Sequence, residues 1–225
     1  MKRSRMFHLD RPRPVKTWNP VHGCRYGCYR GNCWAARMAK HLQAMGLESY
    51  QRGFEPAFVE KELSKRFGPD DVVFVVSMGD LFGDWVLSEW IRKVIDAAKL
   101  SPATFFFETK NSARYAEFLD IFPKNAILST TIETNRDYGL SSAPPVGSRY
   151  EAFKNLSWPR KHVSVEPIMD FDPEVLAGWL FNIGPEIVSV GFDNYHNRLP
   201  EPSLEKVMLL IQMQRVNTIF EKNQK

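Results

Sequence analysis

The segment at residues 72–78 reads VVFVVSM, and Gly79 and Asp80 follow it. An apolar run without alternation is typical of a strand that is buried on both faces in a parallel sheet. The chain repeats this pattern. Further strands are predicted at residues 16–21, 103–109 (ATFFFET), 126–133 (AILSTTIE), 162–169 (HVSVEPIM) and 187–192, with a last short one at 217–222.

Helical segments alternate with these strands. They are predicted at residues 34–45, 59–67, 88–100 with Ser88 as the N-cap, 112–121, 148–155, from Asp172 onward, and 203–213. This alternation predicts right-handed βαβ connections and a parallel sheet. We expect an α/β fold, namely an open, partial parallel β/α barrel of about six strands that is TIM-barrel-like, because a closed eightfold barrel usually takes ~250 residues. The simplest organisation is one domain over residues 1–225 with a basic N-terminal arm over about residues 1–16.

The composition narrows the class of protein. The chain has 225 residues, of which 44% are hydrophobic and 25% charged, which excludes wholesale disorder. No apolar run approaches the ~20 residues that cross a bilayer, so we expect no membrane partner. No apolar segment follows the basic N-terminus, so no secretory signal is expected. An odd number of cysteines argues against a disulfide framework, and we expect a reduced, cytoplasmic protein.

The three cysteines are clustered in the stretch GCRYGCYRGNCW, at Cys24, Cys28 and Cys33. Cysteines that serve as core residues would be dispersed, whereas a metal or cluster site needs several thiolates at one centre. Three thiolates leave a zinc ion one ligand short, and His22 could complete a structural Cys₃His site. In a 4Fe–4S cluster, three thiolates would leave one iron open to an exogenous ligand. The spacing alone leaves both possibilities open.

Polar residues collect where the predicted strands end, which is where parallel α/β sheets carry their ligand sites. Ser164 and Glu166 lie two residues apart in an apolar run, so they share a strand face. A buried carboxylate at Glu166 needs a partner or a ligand, and Lys110 could pair with it. The other strand-end candidates are Ser77, Gly79, Asp80, Glu108, Thr109, Thr130, Thr131, Glu133, Asp193 and Asn194.

The order of these motifs resembles the radical S-adenosylmethionine superfamily, whose cysteine motif reads C-x₃-C-x₂-C. Here WNPVHGC leads into CxxxCxxxxC and WAARMAKHL, and VFVVSMGDLFGDWV, FFFETKN, STTIE and HVSVEPIMDFD follow. In particular, the chain looks like an uncharacterised branch found in phages and archaea, which is related in appearance to the spore photoproduct lyase-like group. The last cysteine interval is two residues longer here, an apparent insertion of Tyr29 and Arg30 or a neighbouring pair.

The resemblance implies a 4Fe–4S cluster held by Cys24, Cys28 and Cys33, with S-adenosyl-L-methionine on the open iron. It implies reductive cleavage of that cofactor to a 5′-deoxyadenosyl radical, with electrons from a donor such as a ferredoxin or flavodoxin. The catalytic group is unknown, and the candidates are Glu166, Lys110 and Asp80. The residues implied to bind S-adenosylmethionine are Ser77, Gly79, Asp80, Thr131, Glu133, Ser164 and Glu166.

A nucleic acid or nucleotide is a candidate substrate, because basic and aromatic residues interleave near the cysteines and the net charge is +4. The residues concerned are Lys2, Arg3, Arg5, Arg11, Arg13, Lys16, Arg25, Arg30, Tyr26 and Tyr29. Two other functions remain open. One is a zinc- or Fe–S-stabilised nucleic-acid-binding module without cofactor cleavage. The other is a metal-free α/β enzyme with Glu166 and Lys110 as acid and base.

Overall fold

The structure is a computed structural model that describes residues 15–214 and the backbone of residues 217–221. Its strands are β1 (Lys16–Trp18), β2 (Val21–His22), β3 (Ala57–Phe58), β4 (Val72–Val75), β5 (Thr104–Thr109), β6 (Ile127–Thr131), β7 (Lys161–Val165), β8 (Ile187–Gly191) and β9 (Asn217–Glu221). Its α-helices are α1 (Trp34–Ala44), α2 (Ser88–Lys99), α3 (Val146–Lys154), α4 (Pro173–Ile183) and α5 (Leu204–Met213).

The strands form an open parallel sheet in the order β1-β4-β5-β6-β7-β8-β9. Every neighbouring pair in this sheet is parallel, and β2 and β3 form a separate antiparallel pair. The α/β alternation is therefore confirmed, and the short last strand that was predicted near the C-terminus is β9. Closure into a barrel is not seen, since β1 and β9 stand at opposite edges of the part of the sheet that the structure describes.

Two of the predicted helices are wrong in type. The segments predicted at 59–67 and 112–121 contain only short 3-10 helices, Glu60–Ser64 and Ser112–Phe118. Tertiary contacts compete for the backbone in the first of these. The indole of Trp18 donates to the carbonyl oxygen of Glu62 at 2.9 Å, and that oxygen also accepts from the amide of Lys65. Such short i→i+3 turns are common connectors between longer elements.

The predicted N-cap of α2 is also displaced by one residue. Leu87 occupies the N-cap position, and no side chain caps this helix. The hydroxyl of Ser88 instead accepts a hydrogen bond from Nη2 of Arg114 at 3.3 Å. The apolar stripe of α2 is as predicted, with Ile91, Val94, Ile95 and Ala98 all buried.

The two faces of the sheet differ in chemistry. Alternate strand residues pack against the helices and form the main core, namely Val73, Val75, Phe105, Phe107, Leu128, Val163, Val165, Val188 and Val190. The opposite face begins with a small apolar cluster of Phe74, Phe106 and Ile127. Nearer the carboxyl ends of the strands it becomes hydrophilic, with Glu108, Ser129, Thr131, His162, Ser164 and Ser189. We call this set of six residues the polar face.

Most of the predicted basic arm falls outside the described residues. Lys2, Arg3, Arg5, Arg11 and Arg13 all lie there. Lys16 belongs to β1, and its ammonium pairs with the Asp71 carboxylate at 2.7 Å. Among the described residues, none of the helices has both the length and the apolar character needed to cross a membrane.

Candidate functional site at the carboxyl ends of the strands

The loop that carries the cysteines is attached directly to the end of β4. The amide of Gly23 donates to the carbonyl oxygen of Met78 at 2.8 Å, and Gly23 forms a parallel bridge with Gly79. A Cβ atom at residue 79 would lie 2.6 Å from the carbonyl oxygen of Gly23, so this close approach requires glycine. The sheet therefore fixes the start of the cysteine loop at the carboxyl edge, where the sequence predicted it.

A second attachment holds the middle of the same loop. The amide of Tyr29 donates to the carbonyl oxygen of Leu140 at 2.7 Å, and the amide of Ser142 donates to that of Tyr26 at 2.8 Å. Tyr29 and Arg30 both adopt a φ of 56°, which is uncommon for residues other than glycine. Tyr29 and Arg30 thus form a left-handed turn, which hydrogen bonds with the segment after β6 hold in place.

The three thiols are free and lie close together. Cys28 is buried, and Cys24 and Cys33 are half-buried in the same side-chain cluster. Burial raises the pKa of both Cys24 and Cys28. The cations of Lys110 and Arg149 act in the opposite direction on the pKa of Cys28. The loop is therefore a mostly desolvated group of thiols with positive charge nearby.

The ligand set of the alternative zinc site, the three cysteines with His22 as the fourth ligand, is not preassembled. Within the part of the chain that the structure describes, no three His, Cys, Asp or Glu side chains lie close enough together to hold one metal ion, and this applies to Cys24, Cys28 and Cys33 as well as to any set with His22. A zinc ion needs its ligand atoms within about 2.3 Å. The ring of His22 is buried and stacks on the ring of Tyr50, with 4.6 Å between their centroids.

Asp80, a candidate for both catalysis and cofactor binding, is engaged within the protein. Its Oδ1 accepts from the hydroxyl of Thr109 at 2.6 Å and from the amide of Phe82 at 3.0 Å. Its Oδ2 accepts from the amide of Lys110 at 2.9 Å. The carboxylate therefore joins the ends of β4 and β5, and this geometry favours a positioning role. Ser77 is similarly engaged, since its hydroxyl donates to Oδ1 of Asn19 at 3.2 Å.

Lys110 pairs with Glu133, whereas the sequence left a pair with Glu166 as one possibility. Oε1 of Glu133 accepts from the Lys110 ammonium and from the hydroxyl of Tyr29, the latter at 3.4 Å. Its Oε2 accepts from Nη1 of Arg149 at 2.9 Å. The side chains of Lys110, Glu133 and Arg149 are only 16%, 3% and 8% exposed. This buried ion pair engages the Lys110 ammonium, which an acid–base role together with Glu166 would need to be free.

Ser164 and Glu166 lie beside the other polar-face residues, as expected. Ser164 pairs in register with Thr131 on one side and with Ser189 on the other. Its hydroxyl makes no hydrogen bond to the described residues. Glu166 packs over Gly191, where an added Cβ atom would lie 3.1 Å from its Cγ. Thr131 and Ser164 are thus adjacent on one face, as their assignment to a common site requires.

A hydrogen-bonded row across β5 to β8 was not singled out from the sequence. Oε2 of Glu108 accepts from the hydroxyl of Ser129 at 3.2 Å. That hydroxyl lies 2.8 Å from Nδ1 of His162, whose Nε2 lies 2.8 Å from the hydroxyl of Ser189. Burial raises the pKa of Glu108 to about 7 and lowers that of His162 to about 3, so His162 is neutral at pH 7. The sequence indicated Glu108 as a strand-end residue, but it indicated none of Ser129, His162 and Ser189.

Comparison with known proteins identifies the family. A family model described as "Protein of unknown function (DUF5131)" matches residues 14–178, nearly three quarters of the chain. The matched segment contains the cysteine loop and the strands from β1 to β7. No curated protein matches the chain. The chain belongs to the DUF5131 family of proteins of unknown function.

Proposed function

We propose that the chain is a radical S-adenosylmethionine-type enzyme built on a partial β/α barrel. Cys24, Cys28 and Cys33 hold a 4Fe–4S cluster, and S-adenosylmethionine binds beside it at the carboxyl ends of the strands. One observation carries the proposal: a loop with three free thiols is attached to the carboxyl edge of a parallel sheet through Gly23 and Gly79. Ligand sites of parallel α/β sheets are found at this edge.

The donor set suits such a cluster. A 4Fe–4S cluster is held by thiolates, and this loop offers three cysteines whose side chains belong to one packed group. As the described residues stand, no three His, Cys, Asp or Glu side chains, the three cysteines included, lie close enough together to hold one metal ion, so cluster loading requires the cysteine loop to draw its thiols together. Burial raises the pKa of Cys28 and opposes its ionised, ligating form, and the positive charges of Lys110 and Arg149 offset part of this effect. Free thiols also fit a reducing, cytoplasmic compartment.

The remaining residues bind and orient ligands. When bound, the cluster and S-adenosylmethionine supply radical chemistry after reduction by a ferredoxin- or flavodoxin-type donor. The hydroxyl of Ser164 is free to bind a ligand, and Thr131 is its neighbour on β6. Gly79 lets the cysteine loop approach closely at Gly23, and on either side of it Ser77 bonds to Asn19 and Asp80 accepts from Thr109. Glu133 and Glu166 are the other two carboxylates that we assign to the cofactor site at the carboxyl edge of the sheet.

Anaerobic reconstitution with iron and sulfide tests the cluster directly. We expect about four irons and four sulfides per chain, with the absorption and paramagnetic spectra of a 4Fe–4S cluster. Alanine at Cys24, Cys28 or Cys33 should abolish this loading. His22→Asn is the matched control, because it removes the one histidine that could complete a zinc site, and it should load normally. Stoichiometric zinc that depends on His22, with no cluster, would overturn the proposal and favour the structural zinc module.

A further inference from the structure

A cavity lies between the cysteine loop, the segment after β6 and the start of α3. Tyr29, Lys110, Glu133 and Arg149 line it, together with residues 136–141 and 143–146. The cavity therefore combines the buried ion pair with the segment that holds the cysteine loop. No cysteine lines the cavity, but Tyr29, which does, directly follows Cys28 in the chain.

The two buried cations offer more hydrogen-bond donors than the protein uses. Arg149 donates through Nη1, to the carbonyl oxygen of Thr131 at 2.5 Å and to Glu133. Its Nε is buried and has no hydrogen-bond partner among the described residues. The ammonium of Lys110 donates to Glu133 and lies 5.6 Å from the ring centroid of Tyr29. Buried donors without acceptors are costly, so these groups are suited to a ligand that brings acceptors.

The helix α3 adds further donors at the same cavity. It begins at Val146, and both Val146 and the N-cap residue Pro145 line the cavity. No side chain caps this end of the helix. The first amides of a helix lack intrahelical acceptors, and the helix dipole favours an anion there.

These donors together favour one class of ligand. We propose that the cavity binds a phosphate group of the substrate, held by Arg149, Lys110 and the first turn of α3. A phosphate offers three terminal oxygens to donors from three directions, and guanidinium pairs with it in a bidentate manner. Glu133 also lines the cavity, but Lys110 and Arg149 already pair with both of its oxygens. The proposal deepens the proposed function by naming its substrate class.

The proposal is tested by measuring whether phosphate compounds bind to the full-length protein without a cluster. Because no cluster is needed, this test can fail even if the proposed cluster is correct. The probes for calorimetry at low salt are inorganic phosphate, adenosine monophosphate and a short single-stranded oligonucleotide, with acetate as the carboxylate control. Phosphate probes should bind and acetate should not. Tighter binding of the mononucleotide identifies a nucleotide substrate, and tighter binding of the oligonucleotide identifies a strand.

Variants locate the bound phosphate. Lys110→Met and the conservative Arg149→Lys should each weaken phosphate binding by about tenfold, the loss expected for one charge-assisted hydrogen bond. Lys99→Met is the matched control. Lys99 lies on α2 outside this cavity, where its ammonium pairs with Asp96, so affinity should stay the same. No binding by the folded wild type, equal binding of acetate, or unchanged affinity in Lys110→Met and Arg149→Lys would overturn the proposal.

Discussion

Glu108 shows how the polar face acts at the level of one residue. The folded protein raises the pKa of this carboxyl from 4.5 to about 7, mainly through burial, although Lys110 and the hydroxyls of Ser129 and Thr131 oppose the shift. Between these two pKa values, the folded state binds a proton that the unfolded chain has released. Stability therefore falls as pH rises through this window. At about 1.4 kcal/mol per pKa unit, the full effect is at most about 3 kcal/mol.

Glu108→Gln should remove this dependence. Urea unfolding at several pH values between about 5 and 8 measures it, and the wild type should lose up to about 3 kcal/mol relative to the variant as pH rises. Glu89→Gln is the control, because Glu89 is exposed on α2 and its partner Lys93 lowers its pKa. Glu89 is ionised throughout this range. Parallel pH profiles for the wild type and Glu108→Gln would show that Glu108 titrates like a solvated carboxyl.

The attachment of the cysteine loop to β4 is a property of two elements, and Gly79 tests it. Gly79→Ala introduces a Cβ atom 2.6 Å from the carbonyl oxygen of Gly23, so the loop and the strand must separate. We expect a loss of about 1–3 kcal/mol in unfolding free energy, the usual cost of overpacking. Iron loading after reconstitution should fall as well, because the start of the loop moves.

Gly178→Ala is the matched control for this substitution. Gly178 lies inside α4, and a Cβ atom there would meet nothing within 4 Å. Alanine should raise the unfolding free energy by up to about 1 kcal/mol, since it favours the helix, and iron loading should not change. Equal stability and loading in Gly79→Ala and the wild type would mean that the bridge does not hold the loop.

The elements that the sequence could predict are those with a local signal. Apolar runs in the sequence predicted β4 to β8, and the clustering of the three cysteines predicted the loop. The pairing of Lys110 with Glu133 could not be predicted from the sequence. Arg149 also pairs with Glu133, and nothing in the sequence of α3 distinguishes this buried arginine from an ordinary charged helix residue. The short segments at 59–67 and 112–121 were predicted as α-helices because periodicity does not reveal tertiary partners such as Trp18, which donates to the Glu62 carbonyl.

At the scale of the whole molecule, the strand order concentrates the chemistry at one edge. The strands β4 to β8 are neighbours in the sheet in the same order as in the sequence. Their carboxyl ends therefore lie side by side, which is why predictions made strand by strand describe one site. The cysteine loop joins this edge at β4, and the segment after β6 holds the loop from the other side. Substrate, cofactor and thiols would meet in the space between.

The central claim is that this edge performs radical S-adenosylmethionine chemistry. The most direct measurement is the formation of 5′-deoxyadenosine by anaerobically reconstituted, chemically reduced protein supplied with S-adenosylmethionine. We predict that the nucleoside forms and that alanine at Cys24, Cys28 or Cys33 abolishes it, while Gly178→Ala leaves it unchanged. A reduced protein that carries its full cluster and leaves S-adenosylmethionine intact would contradict the account.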